Sequence, residues 1–387
     1  MTVKITKPEI NVREQLTELR SGTSSSTTTN YYGRRNLVIN GDMRIDQRNG
    51  GSSITGQNVY GTDRFRTQTS ETNTTSEQVS DAPDGFNHSL KLTNAGTDTG
   101  SGAYREIKYV VEGSDIAHWQ KDTQGLSFSF WAKSSLAGTY QILLRTDSGT
   151  RYFYSFEYTL SANTWTYVTH TLPPSPNSTL SSDNLSGLTF FFVQDYPTGW
   201  ASGDSSAAWE TTSTTSMAAF PQSWANTLNA TFQVTGVQLE VGSATTPFEY
   251  RSYGEELNLC LRYYEDFQPG LYGVFGVGKC MGMAGTAIIS VPIYPKRTAP
   301  SVSMSNMSDA MIGSYKSSLF AFYGIGTSYS FITNHDIGRE RNCNIALLFN
   351  KPTYVGTNDM VTLSQSHTLV GGSIASGQAK LIFDAEL

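Results

Sequence analysis

Residues 126–133 read LSFSFWAK, with Leu126, Phe128 and Phe130 alternating against Ser127, Ser129 and Trp131. Successive side chains of an extended strand point to opposite faces, so this period of two buries an aliphatic and aromatic face only in a β-strand. Residues 60–65, 140–145, 152–160, 165–172, 188–193 and 231–241 are further short runs of this kind with turn-rich joins. Residues 36–45 (NLVINGDMRI) open the series and turn at Asn40-Gly41, a strong short-range turn signal. At least eight strands at this spacing predict an all-β fold in which residues 36–249 form a jelly-roll β-sandwich.

The flanking segments read differently. Thr6 and Glu9 bracket Pro8 in a capping-box pattern, and Ile10, Leu16 and Leu19 follow on one helical face. So short an amphipathic helix is unstable alone and is expected to dock on something larger, with Ile10, Leu16 and Leu19 as candidate attachment residues. Residues 21–30 (SGTSSSTTTN) hold no apolar side chain and read as a tether, so 1–35 is an attachment helix with its linker. In residues 250–268, Ser252 and Glu255 predict a capped helix of about three turns with Leu257, Leu261 and Tyr264 along one stripe. Residues 269–387 are rich in Gly, with short strands expected at 271–277, 286–294, 319–323, 328–333, 344–349, 360–363 and 380–387, a C-terminal β-sandwich or knob.

Composition narrows the chemistry. Charged residues are 16% of the chain, below the usual share of about 25%, so its surfaces are polar but largely uncharged. A net charge of -6 and the lack of any long basic run argue against nucleic acid as a partner. No apolar run reaches membrane-span length, so no membrane insertion is expected. The polar start MTVKITKPE lacks a signal-peptide core, and synthesis in the cytosol is expected. Cys260, Cys280 and Cys343 are far apart and suit neither a disulfide framework nor zinc, and the five histidines make no metal or triad spacing. Residues 273–280 (GVFGVGKC) approach a phosphate-binding loop, but Cys280 stands where the magnesium-holding hydroxyl is needed, and a glycine-rich strand is expected. Asp42, Asp46 and Asp63 lie near Arg44, Arg64 and Arg66; the pattern suits rim ion pairs as well as paired hydrolytic carboxylates. No enzyme activity, cofactor or metal is expected.

Sugar recognition by such a fold needs exposed aromatic faces. The insertion at 195–224 holds Trp200, Trp209, Phe220 and Trp224, and Trp119 sits beside His118 in a similar setting. Trp119, Trp200, Trp209 and Trp224 are therefore the candidate glycan-binding residues, against the plainer reading that they cover a sandwich edge. Trp165 reads as a core or turn residue, and Trp131 can face either way.

Two resemblances sharpen the expectation. The run VQLEVG, TPFEYRSYGEEL and CLRYYE resembles the module junction of bacteriophage tail-fibre and virion appendage proteins, and YPKRTAPSV and IFDAEL resemble segments of their C-terminal modules. The segments FSFWAKSSLAGTYQILLR, YSFEYTLSANTWTYVTHTLP and FQVTGVQLEVG, with the opening NLVINGDMRI, are similar to carbohydrate-binding-module-like jelly rolls. The chain departs from those modules at Met43-Arg44, where they often carry an aromatic and an acidic residue of a structural calcium site, so calcium is not expected. The resemblance implies a homotrimeric phage tail fibre, made in the host cytoplasm and carried on the virion tail. It would bind tail or baseplate proteins through its N-terminal helix and adhere to host surface polysaccharide. The alternatives are a structural decoration protein of head, neck or tail, and a glycan-degrading depolymerase.

Overall fold

The computed structural model describes residues 34–96, 104–121, 125–176, 180–196, 208–211 and 224–268, and within the remainder 274–280, 286–298, 300–305, 310–316, 319–324, 329–332, 344–350, 360–365, 369–370, 373–374 and 380–387. The chain divides into units 1–35 and 36–387, and among the described residues every strand and helix belongs to the second. Ile10, Leu16, Leu19 and Trp200 lie outside the described residues.

Twelve strands build the sandwich: β1 (Ile54–Thr55), β2 (Asn58–Thr62), β3 (Phe65–Thr69), β4 (Thr74–Val79), β5 (Ser89–Asn94), β6 (Arg105–Glu112), β7 (Leu126–Ser134), β8 (Gly138–Thr146), β9 (Phe153–Leu160), β10 (Thr166–Leu172), β11 (Ser186–Asp195) and β12 (Thr231–Val241). They form two six-stranded sheets, β1-β4-β5-β12-β7-β10 and β2-β3-β6-β11-β8-β9. The all-β expectation holds. Leu126, Phe128, Phe130 and Ala132 of β7 face Phe190 and Phe192 of β11 in one core with Phe65, Tyr109 and Phe156. Phe128 and Phe190 ring centroids are 4.9 Å apart and tilted, a favoured aromatic geometry. Each such side chain contributes about 1.5–3 kcal/mol through burial.

Three strands escape the apolar pattern. β5 puts only Leu90 and Leu92 into the core between polar residues, and Thr74 and Ser76 of β4, with Thr67 and Thr69 of β3, are fully or nearly fully buried. A strand that turns hydroxyls inward shows no hydrophobic alternation. β6 carries Ile107, Tyr109 and Val111 into the core, but Arg105, Glu106 and Lys108 dilute its signal. Residues 60–65 are the tip of the β2–β3 hairpin rather than one strand. Residues 36–45 form no strand: Asn40 turns with φ +60°, and its side chain spans the Ile45 backbone N–H (2.9 Å) and carbonyl (2.8 Å) and the Asp63 carbonyl (2.9 Å). The Asn40-Gly41 turn is real, and it serves a connecting segment.

The helix Tyr253–Leu261 has its predicted capping box, with Ser252 Oγ accepting from the Glu255 N–H (3.2 Å) and Glu255 accepting from the Ser252 N–H (2.9 Å). Its buried face centres on Glu256 and Cys260, and Cys260 joins Tyr263, Ile39 and Ile45 in a small cluster against which Leu257 packs. Tyr264 begins the strand Tyr264–Phe267 instead of extending the helical stripe. That strand pairs with Lys380–Asp384, which pairs with Ser301–Ser305. A seven-stranded sheet holds Val274–Cys280 between Thr286–Pro292 and Met360–Gln365, so the described residues of the phosphate-loop-like run are extended backbone, as expected of a glycine-rich strand.

Sandwich and C-terminal strands meet through buried charge. Arg48 lies between the rings of Tyr60 (4.2 Å) and Tyr264 (3.7 Å) and reaches Asp384 (3.2 Å) and Glu386 (3.4 Å). Arg64 is held by Glu386, by the Val110 carbonyl (2.6 Å) and over the Tyr263 ring (3.4 Å). Arg262 grips Glu112 with two bonds of 3.0 and 2.9 Å. The acidic residues considered for hydrolysis have structural partners: Asp42 pairs with Arg44, Asp46 accepts from Asn49 (3.1 Å) and Gly51 (2.8 Å), and Asp63 accepts from Gln47 at 2.6 Å.

Candidate functional site

Because Leu126, Phe128, Phe130 and Ala132 of β7 point into the core, Ser127, Ser129, Trp131 and Lys133 occupy the outer face of its sheet. Strand register then sets the neighbours. Tyr167 of β10 and Thr235 of β12 flank Trp131, while Gln233 of β12 lies beside Lys133. The Tyr167 and Trp131 rings stand 5.2 Å apart at 39°, and Tyr167 is 45% exposed. Just before β10, the Trp165 indole donates to Asp81 (3.3 Å), and the Lys133 ammonium sits 5.0 Å over the Trp165 ring while pairing with Asp81. Gln233 donates to the same carboxylate at 3.1 Å. Against a burial that pushes it up, the bonds from Lys133, Gln233 and Trp165 hold the Asp81 carboxyl below its ordinary value, so it is an anion at neutral pH.

A bulge in β12 between Thr235 and Gln238 extends this face. Gly236 adopts φ +62°, and a Cβ there would meet the Phe86 ring at 2.7 Å and Trp131 at 3.1 Å. Glycine thus lets Phe86 lie against the strand. Phe86 packs edge-on to Phe248 (5.1 Å), which packs edge-on to Tyr250 (5.0 Å). Tyr250 is 58% exposed, its hydroxyl donating to the Gly85 carbonyl at 3.1 Å. The result is a band of rings from Tyr167 to Tyr250 with open rings at both ends and Asp81, Lys133 and Gln233 along its side. Such a surface can pack against the apolar face of a sugar ring while the Asp81 carboxylate and Lys133 ammonium bond hydroxyls, the buried Gln233 amide holding Asp81 in place.

The tryptophans singled out in the sequence lie elsewhere. Trp119 and Trp224 are fully buried in the sandwich core, which corrects the expectation of a stacking role: an indole without an exposed face cannot receive a sugar. Trp209 is half-buried against that core, 5.8 Å from Trp119 and 5.3 Å from Tyr154, with its indole N–H toward the Pro173 carbonyl (3.4 Å). Next to it, Glu210 pairs with Phe153 at the edge of β9, so these rings close the sandwich edge. Trp131, Trp165, Tyr167 and Tyr250 make the open face instead. The serine-side position of Trp131 in the alternation was the one signal for it. Among the described residues no group of three or more His, Cys, Asp or Glu is placed to hold a metal ion.

No protein-family model matches the chain, and no curated protein does. Among solved structures, it is similar to TmCBM61 in complex with β-1,4-galactotriose, at 10% identity and TM-score 0.28 over 54% of this chain and 99% of that one. A family 11 carbohydrate-binding module from Clostridium thermocellum, solved with a β-1,3-1,4-mixed-linked tetrasaccharide, matches at 13% identity and TM-score 0.26 over 50% and 98%. A family 30 carbohydrate-binding module matches at 12% identity and TM-score 0.28 over 55% and 93%. At such scores these likenesses assign neither a ligand nor a role, and what this chain resembles among solved structures is a set of carbohydrate-binding modules matched over about half its length.

Proposed function

We propose that this chain is a non-enzymatic glycan-binding protein whose sandwich holds sugar on the aromatic face of the β1-β4-β5-β12-β7-β10 sheet. The observation that carries the reading is the exposed Tyr167 ring braced on Trp131 beside the Asp81, Lys133 and Gln233 hydrogen-bonding set. In the finer reading, suggested by the sequence resemblance, the protein is a phage tail fibre that adheres to host surface polysaccharide. It would assemble as a homotrimer anchored through residues 1–35, with 36–249, 250–268 and 269–387 as sandwich, linking helix and tip. Three linked weak sites bind far more tightly than one, which suits adhesion.

The test is a neutral-glycan array with the full chain, alongside Tyr167→Ala and light scattering for subunit number. Loss of the Tyr167 ring should weaken the best ligand about tenfold, the scale of one aromatic contact. A folded protein that binds no neutral glycan would move the assignment to a decoration protein that contacts only other virion components, and equal binding without Tyr167 would overturn the aromatic face as the site.

A further inference from the structure

The other sheet carries a different chemistry on its outer face. Ile107, Tyr109 and Val111 of β6, Phe190 and Phe192 of β11, and Tyr140, Ile142 and Leu144 of β8 all enter the core, so the alternate residues face out. Strand register orders them in rows. One row runs Arg66, Lys108, Phe191, Leu143, Ser155 across β3, β6, β11, β8 and β9. The next runs Gln68, Glu106, Val193, Gln141, Glu157. Arg145 lies 5.6 Å over the Phe191 ring, which brings a third cation beside Lys108.

Arg66 and Lys108 are direct cross-strand partners, an arrangement of like charges that destabilises a sheet. Among the described residues neither forms an ion pair. Of the carboxylates on this face, Asp147 is engaged by Arg145 (2.6 Å), Ser186 and Thr189, and Glu106 by the Tyr196 hydroxyl (2.5 Å), while the exposed Glu157 lies at the far end, on β9. Burial, then Arg66 and Arg145, lowers the Lys108 ammonium to about 8, and burial raises the Glu106 carboxyl to about 7. At the β3–β6 end, Arg66 and Lys108 therefore outweigh Glu106 at neutral pH. A second observation is independent of charge. The middle of the face is closed, with Phe191, Leu143 and Val193 buried under Phe153 and Tyr196, but at its β3–β6 end the buried Arg66 Nε has no partner. Leaving such groups unmade costs free energy unless a ligand completes them.

We infer that the β3–β6 end of this face is a second binding site, for an acidic polysaccharide, with Lys108 and Arg66 taking the sugar-borne carboxylate or sulfate. The half-buried cations give access from the β3–β6 side. A lysine ammonium beside a forked guanidinium suits an oxyanion, which accepts several charge-assisted bonds at once. The site lies on the opposite sheet from the aromatic face and does not depend on it.

The experiment measures binding of the full chain to polygalacturonate, dextran sulfate and uncharged dextran, with inorganic phosphate as competitor. Wild type should prefer one or both charged polymers, and Lys108→Gln and Arg66→Gln should each weaken that binding at least about tenfold. Tyr167→Ala should leave it intact, which separates this site from the aromatic one. Without ligand, Lys108→Gln should melt no lower than wild type, because it relieves the facing charges. Equal binding to charged and uncharged polymers, or unchanged binding in both variants, would overturn the assignment. So would full displacement by phosphate at concentrations comparable to the polymer's charged groups, which would make the site one for free phosphate.

Discussion

Replacing Asp63 by Asn tests the charged junction through its pH dependence. Asp63 is 1% exposed, and burial, opposed by Arg48 at 3.9 Å and by Gln47, raises its carboxyl from 3.8 to about 7. Between those values the folded chain binds more protons than the unfolded one, so stability is greatest at low pH and falls as pH rises toward 7. Integrated from pH 5 to pH 8, this one group removes about 2.5 kcal/mol of folding stability. Glu106, raised from 4.5 to about 7 by burial, acts in the same direction. Urea unfolding of wild type and Asp63→Asn at pH 5, 6, 7 and 8 isolates the Asp63 share. Any constant cost of placing an amide against Gln47 cancels in the slope. The variant should lose about 2.5 kcal/mol less than wild type across that range. Parallel curves would mean that Arg48 and Gln47 fully offset the burial of the charge, and the reasoning would fail.

Two further outcomes test the scaffold. Ser252→Ala removes the capping box of the helix Tyr253–Leu261 and should cost about 1 kcal/mol by urea unfolding; no change would show that the helix is held by Glu256 and Cys260 alone. Phe128→Ala empties the centre of the sandwich, where the ring meets Phe130, Phe156, Phe190 and Phe192, and should cost about 3–5 kcal/mol; a loss under about 1 kcal/mol would contradict the packing of these rings.

Legibility in the sequence depends on which interactions are local. The alternation in β7 and the Ser252–Glu255 cap are encoded within a few residues, and both appear where they are read. β4 is not legible, because its inward Thr74 and Ser76 lack the apolar signal. The helix stripe is misread for a related reason. The carboxylate of Glu256 turns inward, accepting from Arg251 at 3.2 Å and from the Asn40 backbone, so the buried face of the helix includes a charged residue. The candidate site depends on register. Trp131 meets Tyr167 only because β10 pairs with β7 at one offset, and a shift of one residue would place Tyr167 in the core. Nor does an indole in a polar loop announce its burial: Trp224 ends a long insertion, yet the chain returns there to the core beside Asn94, whose side-chain amide donates to the Ala225 carbonyl at 2.9 Å.

The Arg64–Glu386 contact bears on the order in which the sandwich edge is closed. Its partners are 322 positions apart, and Arg64 sits at the tip of the β2–β3 hairpin, among the first parts of the sandwich to emerge during synthesis. At about 5–20 residues per second, the ribosome makes Glu386 roughly 16–64 s after Arg64. In that interval the Tyr109 ring and the Val110 carbonyl arrive early and the Tyr263 ring well past the midpoint, and the carboxylate comes after them all. The segment that follows the strand Lys380–Asp384 thus acts as a latch, and a nascent sandwich remains open to exchange at that edge until the latch arrives.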